Sequence, residues 1–344
     1  MLRSIGRPAG QVKVEVTGRK SRAPPPPCAS PFLLTPRRGY RTLKNTVKGR
    51  DFIHTLGVDL GGGKGKKTAL ATLRADTDGA TVIEIAPRSG AQPLYDSMLI
   101  ETIRSFGADT LLCVDAPLTL PPCLRCEVPV CPGQDDCVDG AVVEMRAISA
   151  RSLAGERARR GKPSITPYTQ RATEVYLAHR LGIIPREALG QGTGPLAARA
   201  AHLTRALADR FRLNDNLLEV YPKGTLAALG FMRPYKKHLK ERETRAEILE
   251  ALSPELRFGP GVWRELCIQS DHLFDAVICA FTGYLWARDA WSLPAAINGA
   301  VAGTRAIADP NLDPGMDPRM RDGWIWLPPI AEKTEEGESK AAEA

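Results

Sequence analysis

The chain has 344 residues, 43% hydrophobic and 25% charged, enough for one large domain or two average ones with a sizeable core. No window approaches the roughly 18–20 consecutive apolar residues of a membrane span, so the composition excludes a helical membrane protein and predicts a soluble one. The formal charge of +8 belongs to the ends: residues 1–50 hold 12 Lys/Arg against Glu15 alone, residues 331–344 hold two lysines and five glutamates, and the span between has 33 basic and 33 acidic residues. A neutral body gives no support for a strongly basic binding face on the folded part.

Residues 1–50, with PPPPCASP and scattered Arg/Lys, lack the hydrophobic period needed to offset ordering entropy, and a disordered basic extension is expected. MLRSIGRPAG carries no apolar secretory run, and its Arg-rich, acid-poor character is shared by organelle transit peptides and plain basic tails; a cytoplasmic location is the expectation. One α/β domain is expected over about 51–330, followed by a disordered acidic tail at 331–344.

Thr55–Asp59, Lys67–Leu73 and Thr81–Ile85 are β-branched and apolar runs in close succession, which predicts an antiparallel meander. Residues 95–106 place apolar side chains at helical spacing, and Thr110–Val114 is the unbroken apolar run of a buried parallel strand. A crossover thus joins the meander to a central fourth strand. Helices follow near 169–181, 195–211, 236–252 and 271–288, with a strand at 217–222.

The stretch GVDLGGGKGKKTALATL (57–73) invites a phosphate-loop reading and fails it. In a Walker loop Ser or Thr follows Gly-Lys, yet Lys67 follows Gly65-Lys66, and Leu60 stands where the first glycine is required. A dinucleotide fingerprint fails too, because TALATL is a strand pattern where a helix should start. The glycines and lysines make the turn of a hairpin that can approach a nucleic-acid backbone, which leaves Asp59 as the chemically informative residue. A strand-end aspartate capping a turn is its plain alternative.

Further acids stand where strands end or a core helix begins: Asp115 after TLLCV, Glu219 in LLEVYP, and Asp271 and Asp275 in SDHLFDAVICAFTGYL. Asp271 and Asp275, four apart, share one face of an otherwise apolar helix. Burying them costs several kcal/mol unless something positive neutralises them, and a hard divalent cation such as Mg²⁺ or Mn²⁺ suits carboxylate oxygens. Two cations held by such a cluster would activate a water and stabilise a leaving oxygen in phosphodiester hydrolysis. Singly, Asp115 serves as a turn former, Glu219 as a partner for Lys223 or Lys236, and Asp271 as a helix cap.

These stretches, together with TPYTQRATEVYL, PYKK and LLEVYPKGTLAALG, resemble domain-of-unknown-function family 429, described as predicted nucleases with a ribonuclease-H-like fold. The resemblance spans most of residues 57–290 and implies a mixed five-stranded sheet, first three strands antiparallel, with helices on both faces. It also implies a nuclease acting on DNA or RNA, with Asp59, Asp115, Glu219 and Asp271 or Asp275 as catalytic residues and Asp59, Asp115 and Asp275 holding Mg²⁺ or Mn²⁺.

Arg171, Lys223 and Lys236 are candidates for phosphate contact; an Arg171–Glu174 pair within one helix is the alternative. His272, inside the acid helix, is placed to assist proton transfer or simply to cap. Cys123, Cys126, Cys131 and Cys137 form C-x2-C-x4-C-x5-C in an insertion at about 121–140, suited to a structural zinc ion or an iron–sulfur cluster, against free thiols. Cys113, Cys267 and Cys279 sit in apolar contexts as core residues. Two rivals to the nuclease remain. An actin-like ATPase needs a duplicated domain and a second glycine-rich loop; a non-catalytic scaffold fits the neutral body but leaves the acids without purpose.

Overall fold

The computed structural model describes residues 50–62, 67–86, 88–89, 92–150, 165–294 and 318–330. The basic extension up to residue 49, the hairpin tip Gly63–Lys66 and the acidic tail lie outside the described residues.

Strands β1 (His54–Asp59), β2 (Ala69–Asp76) and β3 (Gly79–Ala86) form the expected antiparallel meander. A two-stranded ribbon, β4 (Arg88–Ser89) and β5 (Gln92–Pro93), leads into α1 (Asp96–Ser105), which crosses over to β6 (Thr110–Asp115), parallel to β1. Next come α2 (Gly140–Ala150), α3 (Ala172–Arg180) and α4 (Gly194–Ala206), then β7 (Leu217–Val220), parallel to β6, and α5 (Pro222–Ala228). The chain continues through α6 (Glu241–Leu252), β8 (Leu256–Phe258), α7 (Trp263–Gln269) and the long α8 (Asp271–Asp289). After residues not described it ends in α9 (Pro318–Asp322) and β9 (Ile325–Trp326).

The result is a mixed α/β fold around a seven-stranded sheet in the order β8-β3-β2-β1-β6-β7-β9, where five strands were expected. The extra two, β8 and β9, are three and two residues long and lie at the edges, too short for any periodicity to reveal. The helix expected from residue 236 starts at Glu241 instead, since Lys237 takes a left-handed backbone with φ 53° that no helix accommodates.

Alternation along the strands splits the core in two. Leu56, Val58, Leu112 and Val114 meet α1 and α4 residues such as Leu99 and Leu203 on one face. The other face is covered by α8, nearly all of whose residues are buried. Two glycines let this helix lie directly on the strands: a Cβ on Gly57 would run into the Ala276 carbonyl oxygen, and one on Gly283 into the Cys113 sulfur. Cys113, Cys267 and Cys279 are buried, as expected. Among the described residues no helix is long and apolar enough to cross a membrane.

Candidate metal centre

Asp59 and Asp115 are the last residues of β1 and β6 and register partners in that parallel pair, so they stand side by side at the carboxyl ends of adjacent strands. Their parity is that of Gly57 and Cys113, the residues α8 lies against. Asp275, one turn into α8 and 0% exposed, faces down onto them. One carboxylate oxygen from each of the three lies within 4.8 Å of the others. Among the described residues this is the group of three or more His, Cys, Asp or Glu side chains that converges in this way.

Each acid has a different neighbourhood. Asp59 meets His272 Nδ1 at 2.6 Å, and this hydrogen bond raises the imidazole pKa. Asp275 accepts from the Tyr235 hydroxyl at 3.0 Å on Oδ1 and from the Lys236 ammonium on Oδ2. Burial, reinforced by the charge of Asp59 and opposed by Lys236, pushes its pKa up to about 7. Asp115 receives no hydrogen bond from any described residue. Burial first, then the charges of Asp59 and Asp275, hold its pKa well above the usual carboxylate range. Burial works against the Lys236 ammonium too, but Asp275, Asp59 and Asp115 together outweigh it and raise its pKa.

The donor set fits a hard divalent cation. Three carboxylate oxygens converge, and two of the acids resist ionisation without a counter-charge. Lys67, exposed at the start of the segment leading into β2, is close enough to oppose His272 protonation. The hairpin base is fastened by Arg199, which donates to the Gly61 carbonyl at 2.5 Å and to Thr68 Oγ1 at 2.7 Å.

Other expected site residues go elsewhere. Glu219 pairs in register with Val114, not Asp115, so strand alternation turns it away from the α8 face. Both its oxygens accept from Arg171, at 2.6 and 2.7 Å, and one also takes the Leu118 N–H at 2.9 Å. Arg171 is 0% exposed, not an exposed helix charge; standing just before α3, it pairs with Glu174 and, in addition, with Glu219. Burial pushes Glu174 up to about 7 despite Arg171. Asp271, at the start of α8, accepts the His272 N–H at 3.1 Å and is outside the trio. Lys223 is exposed on α5. Lys236, read as a phosphate contact, instead sits on Asp275.

Tyr235 escaped notice in the sequence, although it stands beside Lys236 in PYKK. Asp322 was missed too: 0% exposed, it accepts the Ala172 N–H at 3.0 Å and pairs with Arg125 of the cysteine loop. The four cysteines share that loop and are free, Cys126 and Cys131 exposed, and no three thiols converge within 4.8 Å. The other three still act on Cys123, whose thiol pKa is raised first by burial and then by Cys137, Cys131 and Cys126.

Fold and site thus define a mixed α/β protein with a partly buried carboxylate cluster, suited to a divalent cation, at the carboxyl ends of two central strands. Residues 57–298 match the family described as a protein of unknown function, DUF429; this is more than half of the chain, which therefore belongs to that family. No curated protein and no solved structure matches the chain.

Proposed function

We propose that the protein is a metal-dependent nuclease that hydrolyses phosphodiester bonds of DNA or RNA. The convergence of Asp59, Asp115 and Asp275 carries this reading. The strand run β3-β2-β1-β6-β7, with its first three members antiparallel, supports assigning the fold to the ribonuclease-H-like class.

Asp59, Asp115 and Asp275 would hold Mg²⁺ or Mn²⁺, which when bound polarises a phosphoryl oxygen and makes water more acidic. A water oxygen bonds to phosphorus as the bond to the leaving oxygen breaks. The proton that water gives up has His272, held on Asp59, as a candidate acceptor, and the leaving oxygen takes a proton from solvent. The lysine-bearing hairpin base and exposed Lys237 lie where a backbone phosphate can be met.

Labelled single- and double-stranded DNA and RNA incubated with Mg²⁺ or Mn²⁺ test this directly. Wild type should cleave at least one, and Asp59→Asn should lower the rate by about 10³ or more, as expected when a ligand to a catalytic ion is lost. Equal inactivity of both, with no divalent-cation binding in calorimetry, would leave a non-catalytic scaffold.

A structural zinc ion or iron–sulfur cluster at Cys123, Cys126, Cys131 and Cys137 is a separate proposal, supported by the C-x2-C-x4-C-x5-C spacing that puts all four thiols in one loop. Elemental analysis and a visible spectrum of anaerobically purified protein should find one zinc ion or an iron cluster per chain. Absence of both metals removes it.

A further inference from the structure

Resting on the reading of this site as a phosphodiesterase, we propose that it takes a single divalent cation and that the Lys236 ammonium supplies the second positive charge. Two-metal phosphodiesterases hold two ions about 3.5–4 Å apart, one on the attacking and one on the leaving oxygen. That arrangement needs enough carboxylate to neutralise both ions. Among the described residues the supply stops at three.

Glu219, the fourth acid near the strand ends, has both oxygens occupied by the Arg171 guanidinium and lies on the wrong side of its strand. Asp271 is engaged at the helix start and does not belong to the converging group. The available set is Asp59, Asp115 and Asp275, and it already contains a resident cation, Lys236, on Oδ2 of Asp275. Three negative charges, one ammonium and one divalent ion come to neutrality. Before substrate binds, two divalent ions with Lys236 in place would leave a surplus of two positive charges in a partly buried site.

Lys236 is also delivered rigidly. Its neighbour Tyr235 is buried, lies tilted against the Phe274 ring of α8 at 5.1 Å, and donates to the other oxygen of Asp275. The Tyr235 carbonyl is held by buried Arg245 at 2.6 Å. The ammonium is therefore carried by an anchored segment, while its side chain remains 36% exposed. Lys236 keeps its proton throughout and takes part by charge alone, offsetting the negative charge that grows on the leaving oxygen. This differs from the two-cation arrangement that the acid count in the sequence suggests.

Titration of the full-length protein with Mn²⁺, followed by calorimetry and electron paramagnetic resonance, tests the inference apart from activity. Wild type should bind one Mn²⁺ per chain with an uncoupled six-line spectrum. Lys236→Met should bind Mn²⁺ about tenfold more tightly, because an opposing charge has gone, and should hydrolyse nucleic acid about 100-fold more slowly. Lys236→Arg, which keeps the charge, should retain the wild-type affinity and report on folding. Two exchange-coupled Mn²⁺ ions in wild type overturn the inference while leaving the nuclease reading intact; so does Lys236→Met with unchanged affinity and rate. One uncoupled Mn²⁺ without hydrolysis of any nucleic acid overturns the nuclease reading and leaves the single-ion site. Failure of wild type to bind Mn²⁺ removes both.

Discussion

Arg171→Met is expected to cost about 3–5 kcal/mol of stability, as breaking a buried ion pair from one side does. The guanidinium is 0% exposed and spans two carboxylates, bidentate on Glu219 and bonded to Glu174 through Nε at 3.0 Å and Nη2 at 2.5 Å. Methionine fills similar space but donates nothing, so both acids lose their counter-charge in the interior. Glu174, with its pKa already pushed up to about 7, escapes by taking a proton; Glu219 also loses the donors that hold it beside Leu118. That N–H lies three residues beyond Asp115, so the loss loosens the loop leaving the metal centre as well. Urea denaturation of wild type, Arg171→Met and the double variant Arg171→Met/Glu219→Gln measures the effect. The double variant should recover part of the loss, because it removes one stranded charge. A single variant within about 1 kcal/mol of wild type would show that the network is not a buried ion pair in solution.

The network also shows where sequence reasoning stops. Asp59, Asp115 and Asp275 were legible because each sits at a place with a simple rule: two at the ends of apolar strands, one at helical spacing on an apolar helix. The choice between Asp271 and Asp275 turned on where α8 begins and how it lies across β1, which depends on the close approach at Gly57. Glu219 could not be placed from LLEV, since a strand buried on both faces has no polar alternation, and only its register with β6 shows that it is out of phase with Asp115. Its partner Arg171 is 48 residues upstream, beyond the reach of any local pattern. The central strand order was legible from the meander and crossover, whereas β8 and β9 exist only because neighbouring edges accept two or three residues of backbone pairing. Trp324 and Trp326, buried with β9, extend the fold beyond the residues shared with the family.

The metal-free protein is expected to melt at a higher temperature at pH 5.5 than at pH 8, and Mn²⁺ is expected to raise the melting temperature at pH 8 far more than at pH 5.5. Asp275 has its folded pKa pushed up to about 7 and Asp115 well above its ordinary value, chiefly by burial. The folded state therefore binds protons more tightly than the unfolded chain, whose aspartates titrate near pH ~3.9. This contribution is fully present below that unfolded value and is lost as pH rises through about 7. His272, with a raised pKa, acts with the same sign. Glu174, at about 7, and Asp322, at about 6, add to it from outside the site. The Asp275→Asn variant isolates the site's share: its pH dependence should be shallower than that of wild type. A cation and a proton compete for the same oxygens, so Mn²⁺ binds best where the carboxylates have already lost their protons. At a concentration about 100 times its dissociation constant it stabilises by about 2.7 kcal/mol, which for a protein of this size is roughly 4–5 °C in the melting temperature. Asp275→Asn should lose most of that gain, because an amide is a poor substitute for a carboxylate on a divalent ion. An equal rise at both pH values, or in both proteins, would mean that Mn²⁺ acts away from Asp59, Asp115 and Asp275 and that the cluster is not its site.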